Sequence, residues 1–118
     1  MKKILIVDDL LMNRMLIKTI ISKNIRYHCD IDEATDGVEA VSLCTEKDYD
    51  LVFMDLKMPN MEGDVATVKI KEHKPNINIV SITSAKSDLH NLDVFNDFLI
   101  KPFTLDGVIG VFNKFVKN

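Results

Sequence analysis

The 118-residue chain has little of what would mark several protein classes. Its two cysteines, Cys29 and Cys44, have no C-x-x-C spacing and no histidine pair at zinc-finger distance. A structural zinc and a disulfide framework are therefore not signalled, and buried free thiols are expected. No apolar run approaches the ~18 residues of a membrane span. The start, Met1-Lys2-Lys3 followed by Ile4 to Val7, imitates a secretory leader, but Asp8-Asp9 ends the apolar run after four residues, so a cytoplasmic protein is expected. A large excess of one sign of charge is missing as well. Fifteen Lys and Arg stand against 18 Asp and Glu, a formal charge of -3, which gives no footprint for direct nucleic-acid or anionic-membrane binding. Repeats, low-complexity tracts and linkers are missing, so one domain spanning 1–118 is expected rather than an enzyme with separate substrate and cofactor halves.

What is present is apolar material, 47% of the chain, arranged in two alternating periods. Ile4-Leu5-Ile6-Val7, Leu51-Val52-Phe53-Met54, Ile79-Val80-Ser81-Ile82 and Phe98-Leu99-Ile100 are nearly continuous apolar runs, as in strands buried on both faces of a parallel sheet. Tyr27 to Ala34 alternates, with Cys29 and Ile31 on one face and His28, Asp30 and Asp32 on the other, and reads as an edge strand. Between these lie helical periods: Leu16, Ile17, Ile20, Ile21; Val38, Val41 and Cys44; Val65, Val68 and Glu72; and Val108, Val111, Phe112, Phe115. Strand then helix, five times, predicts an α/β fold with a doubly wound parallel sheet and ligands at the carboxyl ends of its strands.

In that layout Asp8 and Asp9 end the first strand, Asp55 the third, Thr83 the fourth and Lys101 the fifth. An Asp-Asp pair alone is more often a loop or capping feature. Three carboxylates on one rim, however, repel unless a cation neutralises them. Oxygen ligands without Cys or His nearby favour Mg2+. Lys101 by itself could be a solvated surface charge, but Lys101-Pro102 is the one kind of bond at which a cis peptide is common, and a cis bond would aim the lysine over the acids.

These residues carry a family resemblance. Ile4 to Asp9, Val52-Phe53-Met54-Asp55-Leu56-Lys57-Met58-Pro59 with Met61-Glu62-Gly63, Ile82-Thr83-Ser84-Ala85, Phe98-Leu99-Ile100-Lys101-Pro102-Phe103 and the turn Ala34 to Ala40 resemble the receiver domain of two-component response regulators, over essentially the whole chain. The resemblance implies a flavodoxin-like (βα)5 fold with strand order 2-1-3-4-5 and helices on both faces. It also implies that Asp55 takes a phosphoryl group from a phosphohistidine, with a histidine kinase or histidine phosphotransfer protein as partner. Asp9 would bind Mg2+ directly, Asp8 largely through water, and Lys57 through its backbone carbonyl, while Lys101 would neutralise charge on the transferring group. The chain would then be a signalling phosphoacceptor with autophosphorylation and autodephosphorylation chemistry rather than an enzyme. Thr83 would move toward the phosphate and Phe98 would fill the vacated space. The other reading of Phe98 is a core aromatic. With no output module after the last helix, a downstream protein target is expected, and a dimer formed on phosphorylation is compatible with the pattern.

Some features depart from that pattern or compete with it. Thr83 and Lys101 are 18 positions apart, about one helical turn fewer than is common in the family, so the helix over 85–94 is expected to be short or irregular. The Lys57 side chain either lies across the phosphate or swings into solvent. Leu10-Leu11-Met12 either starts the core face of the first helix or forms a docking surface for a phosphohistidine-bearing four-helix bundle. Asn13-Arg14 resembles receivers attached to hybrid histidine kinases, so a fragment of such a kinase is an alternative, as is a pseudo-receiver that is never phosphorylated. A flavodoxin-type FMN carrier needs a phosphate-cradling Ser/Thr/Gly loop where Asp8-Asp9-Leu10 stands. A magnesium phosphohydrolase would place its nucleophile after the first strand and need a substrate cap.

Overall fold

The computed structural model describes residues 1–84 and 92–117. The elements run β1 (Lys2–Val7), α1 (Leu11–Asn24), β2 (Cys29–Ala34), α2 (Gly37–Glu46), β3 (Leu51–Asp55), α3 (Gly63–His73), β4 (Ile79–Thr83), a 3-10 turn (Leu92–Val94), β5 (Asp97–Ile100) and α4 (Leu105–Phe115). The five strands form one parallel sheet in the order β2-β1-β3-β4-β5, the doubly wound order expected from the sequence. Of the irregular helix expected over 85–94, residues 85–91 lie outside the described residues, and the described end, Leu92–Val94, is the 3-10 turn.

Strand side chains alternate between the two faces. Ile4, Ile6, Leu51, Phe53, Val80 and Ile82 pack with Ile17, Ile20 and Ile21 of α1 and Val108, Val111 and Phe112 of α4. Leu5, Val7, Val52, Met54 and Ile79 pack on the opposite face with Ala40 and Cys44 of α2 and Ala66 and Ile70 of α3. Burial on both faces explains why these strands read as unbroken apolar runs.

The predicted inward faces of α1 and α4 are correct apart from Leu16, which is exposed. Those of α2 and α3 are correct only in part: Cys44 is buried and Val41 partly so, as expected. Val38, Val65 and Val68 are exposed, whereas Gly37, Ala40 and Cys44, and Gly63, Ala66, Thr67 and Ile70, are the buried residues. Each helix starts at a glycine pressed against other backbone: a Cβ on Gly37 would lie 2.5 Å from the Met61 carbonyl oxygen in the loop before α3, and one on Gly63 would collide with the Asp55 carbonyl oxygen at the end of β3. At that spacing small residues pack better than valine.

Both cysteines are free thiols: Cys44 is buried and Cys29 partly so. Burial pushes the Cys44 thiol up to about 11, which makes it a poor nucleophile at neutral pH. Among the described residues no helix is long and apolar enough to cross a membrane.

Candidate functional site

Strand register brings the acids together. Val7 pairs with Met54, so one step further along the parallel strands Asp8 stands beside Asp55. Ile82 pairs with Asp55, and Thr83 with Ile100, which puts Thr83 and Lys101 on the same rim. One carboxylate oxygen each from Asp8, Asp9 and Asp55 fall within 4.8 Å of one another. Such convergence sits beside the point where the chain reverses its winding direction, between β1 and β3.

Asp8 is fully buried and almost fully committed. Its N–H donates to the Ala34 carbonyl at 3.1 Å, its carbonyl accepts from Arg14 Nη1 at 2.8 Å, and its Oδ1 accepts from the Leu10 N–H at 2.9 Å. The Arg14 guanidinium is itself held by Glu33 of β2 through Nε at 3.0 Å. Oδ2 of Asp8 is buried and makes no hydrogen bond; Lys101 Nζ forms an ion pair with it at 3.5 Å. The roles of Arg14 and Glu33 in fixing Asp8 escape the sequence reading, because Arg14 and Glu33 are 19 positions apart and meet only when α1 packs over β2.

Asp55 is 3% exposed. Its carboxyl is pushed up to about 7, first by burial and then by the neighbouring charge of Asp8, with Lys101 opposing the shift and Asp9 adding to it. Lys101 Nζ reaches Asp55 Oδ1 at 3.3 Å. The Lys101-Pro102 bond is cis, and the Lys101 N–H donates to the Thr83 carbonyl at 2.8 Å. One ammonium thus serves two buried carboxylates, while the solvent-exposed Asp9 completes the cluster. A buried acceptor without a hydrogen bond, an all-oxygen donor set and an excess of negative charge fit a hard divalent cation. Asp8, Asp9 and Asp55 are the residues that could hold it.

The remaining candidates separate. Thr83 is buried at the end of β4. Phe98 lies on β5, at the edge of the sheet, and is 38% exposed, so it is not a core aromatic. The Lys57 side chain is largely exposed and pairs with Glu62 Oε2 at 3.7 Å, on the solvent side. Leu10, Leu11 and Met12 are exposed, together with Met15 and Leu16. They do not start the core face of α1, which is built from Ile17, Ile20 and Ile21.

The chain matches the family model of the response regulator receiver domain over residues 4–112. It belongs to that family. The receiver is 36% identical over 116 residues to the chemotaxis protein CheY of Bacillus subtilis, covering 95% of each chain. It is 37% identical over 105 residues to the transcription factor prr1 of Schizosaccharomyces pombe, where the match takes in 86% of this chain but only 19% of that protein. Among solved structures, the receiver domain of a sensor histidine kinase from Pseudomonas aeruginosa PAO1, described with a magnesium ion coordinated in its active-site cleft, aligns with a TM-score of 0.86 at 26% identity, covering 97% of this chain and 96% of that one. The protein is thus a receiver domain of two-component signalling, a module that works with histidine kinases or phosphotransfer proteins. FMN carriers and cap-bearing phosphohydrolases fall away with this assignment.

Proposed function

We propose that this receiver is a phosphorylation switch in which Asp55 accepts a phosphoryl group from a phosphohistidine. The observation that carries the reading is the convergence of Asp8, Asp9 and Asp55 within 4.8 Å under a lysine that touches both buried acids at 3.3 and 3.5 Å. Asp8 and Asp9, with Asp55 and the backbone carbonyl of Lys57, would hold Mg2+. When bound, the ion supplies positive charge to the phosphoryl oxygens and lets Asp55 stay ionised.

The chain's own groups do the rest. An oxygen of the Asp55 carboxylate attacks phosphorus in line; the bond from phosphorus to the imidazole nitrogen breaks and the donor imidazole leaves with the bonding pair. An acyl phosphate remains on Asp55. Lys101 turns from the Asp55 carboxylate toward the new phosphoryl oxygens, so its charge stabilises the transferring group and then the product. Later attack by water cleaves the acyl phosphate and restores Asp55. The domain is a phosphoacceptor with this self-limited chemistry, not an enzyme acting on an external substrate.

The readout follows from the added negative charge. Thr83 turns its hydroxyl to the phosphoryl oxygens and Phe98, already half out of the edge strand, moves into the space beneath it. Phe98 lacks a hydroxyl, so the change is one of packing, read by a downstream protein. Beside the acids, the exposed Leu10, Leu11, Met12 and Met15 form the apolar ground on which the helical bundle bearing the phosphohistidine docks. An attached partner domain, as in hybrid kinases, would use the same face.

The test is incubation with Mg2+ and a small phosphodonor such as acetyl phosphate, followed by intact mass. One labile phosphoryl adduct, lost in Asp55→Asn, is expected. Absence of any adduct, or its persistence in Asp55→Asn, would refute the reading and favour a receiver fold used only as a protein-binding module.

A further inference from the structure

Asn60, in the loop between Asp55 and α3, is the only non-glycine with positive φ among the described residues, at 67°. Across it the Met61 N–H donates to the Pro59 carbonyl at 2.7 Å. A bond spanning two residues about a positive φ is the signature of a γ-turn of the rare, strained kind. A strained turn persists only where neighbours hold it.

The neighbours come from the turn before α2. The Asn60 side-chain amide donates to Asp36 Oδ2 at 2.7 Å, and the Gly37 N–H donates to the Met61 carbonyl at 3.2 Å. Asp36 is doubly engaged, since its Oδ1 also accepts from the Glu39 N–H at 2.9 Å and caps α2. The Glu39 bond first and the Asn60 amide second hold the Asp36 carboxyl below its usual range, so it stays an ionised acceptor. Gly37 fits because a side chain there would meet Met61. At the far end of the loop the Gly63 N–H donates to the Leu56 carbonyl at 2.9 Å. The loop that carries Lys57 is therefore pinned twice: at its base by Leu56, and at its tip by a clasp from an element 24 residues earlier in the chain.

We infer that Asp36 is a positioning residue of the phosphoacceptor site, holding the Asn60 turn so that the 56–62 loop presents its backbone to the acid cluster. The inference rests on the proposed cation-binding reading of that cluster. Asp36 touches neither cation nor phosphoryl group; it acts through Asn60.

Two substitutions isolate the clasp. Asp36→Ser keeps an N-cap acceptor for α2 but is too short to reach Asn60. Asn60→Gly keeps the positive φ but removes the amide. Mn2+ binding, followed by the loss of free-ion paramagnetic resonance signal, is the readout, alongside thermal unfolding without metal. Each variant is expected to bind Mn2+ about tenfold more weakly, at the lower end of the usual effect of removing an outer partner of a metal ligand. The double variant is expected to be no weaker than the singles, since both remove the same bond. A weakened Asp36→Ser with an unchanged Asn60→Gly would assign the effect to the helix cap and overturn the clasp, as would unchanged affinity in both. Failure of the wild type to bind Mn2+ would instead overturn the cation site itself, and the clasp with it.

Discussion

Gly63 abuts the carbonyl of Asp55 so closely that a Cβ on it would collide with that oxygen. The first residue of α3 is thereby tied to the proposed phosphoacceptor by backbone contact, not by any side chain. Gly63→Ala is expected to destabilise the protein by about 1–3 kcal/mol, the usual cost of overpacking, and to lower phosphoryl uptake, because Asp55 or the loop behind it must shift. Gly110 provides the contrast. Nothing lies within 4 Å of a Cβ there, so Gly110→Ala within α4 is expected to stabilise by about 0.5–1 kcal/mol. Urea unfolding of both variants checks the pair; equal signs would contradict this account.

Asp55 makes stability depend on pH. Its ordinary value is 3.8 and the fold raises it to about 7, so between those values the folded state binds a proton that the unfolded state lacks. Stability from this group is full below the lower value and is lost as pH rises through the upper one. In metal-free protein at pH 8, Asp55→Asn is therefore expected to melt higher than wild type. At pH 4 the advantage should shrink, and at pH 8 added Mg2+ should narrow it by stabilising the wild type alone. A variant that melts lower than wild type at pH 8 would show that burial of the Asp55 charge is already fully compensated.

Lys101 supplies that partial compensation. Lys101→Met removes the cation from two buried carboxylates, at 3.3 and 3.5 Å. Because the lysine is itself partly exposed, the loss in metal-free protein is expected to fall between surface and buried pairs, about 1–3 kcal/mol. Added Mg2+ should recover much of the stability, yet phosphoryl uptake should stay low. Recovery of both would mean that Lys101 serves charge balance alone.

The exposed face of α1 separates docking from chemistry. Met12→Gln with Met15→Gln replaces two exposed methionines by residues of similar helix propensity. Phosphorylation by a small donor is expected to be unchanged, and transfer from a phosphohistidine protein to slow by about tenfold, the effect of losing an interface anchor worth about 1.4 kcal/mol. Equal slowing with both donors would place the effect at the site rather than at the docking surface.

Much of this molecule is legible from residue order. An apolar run buried on two faces has no polar position to conceal, so β1, β3, β4 and β5 stand out, and the first polar residue after each run marks the rim of the sheet. Asp8, Asp55, Thr83 and Lys101 are read in this way, and parallel pairing then brings them together. The helices are less legible. A period of 3.6 shows that a face exists without saying which of two neighbouring faces turns inward. In α2 and α3 the valines suggest faces that include the exposed Val38, Val65 and Val68, while close backbone contact at Gly37 and Gly63 turns Ala40, Ala66 and Ile70 inward beside the expected Cys44. The same ambiguity covers Leu10 to Met12, whose exposure follows from the rotation that buries Ile17, Ile20 and Ile21.

Residue order alone carries the fold class, the strand order through its family pattern, and which carboxylates share a rim, because these depend on local burial and on strand ends. Tertiary structure decided what depends on the distance between elements: the two carboxylates that Lys101 touches, the Asp8 oxygen that is buried without a hydrogen bond, the outward position of Phe98, and the reach of Asp36 to Asn60. Residues 24 positions apart have no shared period to betray them. They meet because α2 and α3 lie side by side on one face of the sheet, and only packing sets that distance.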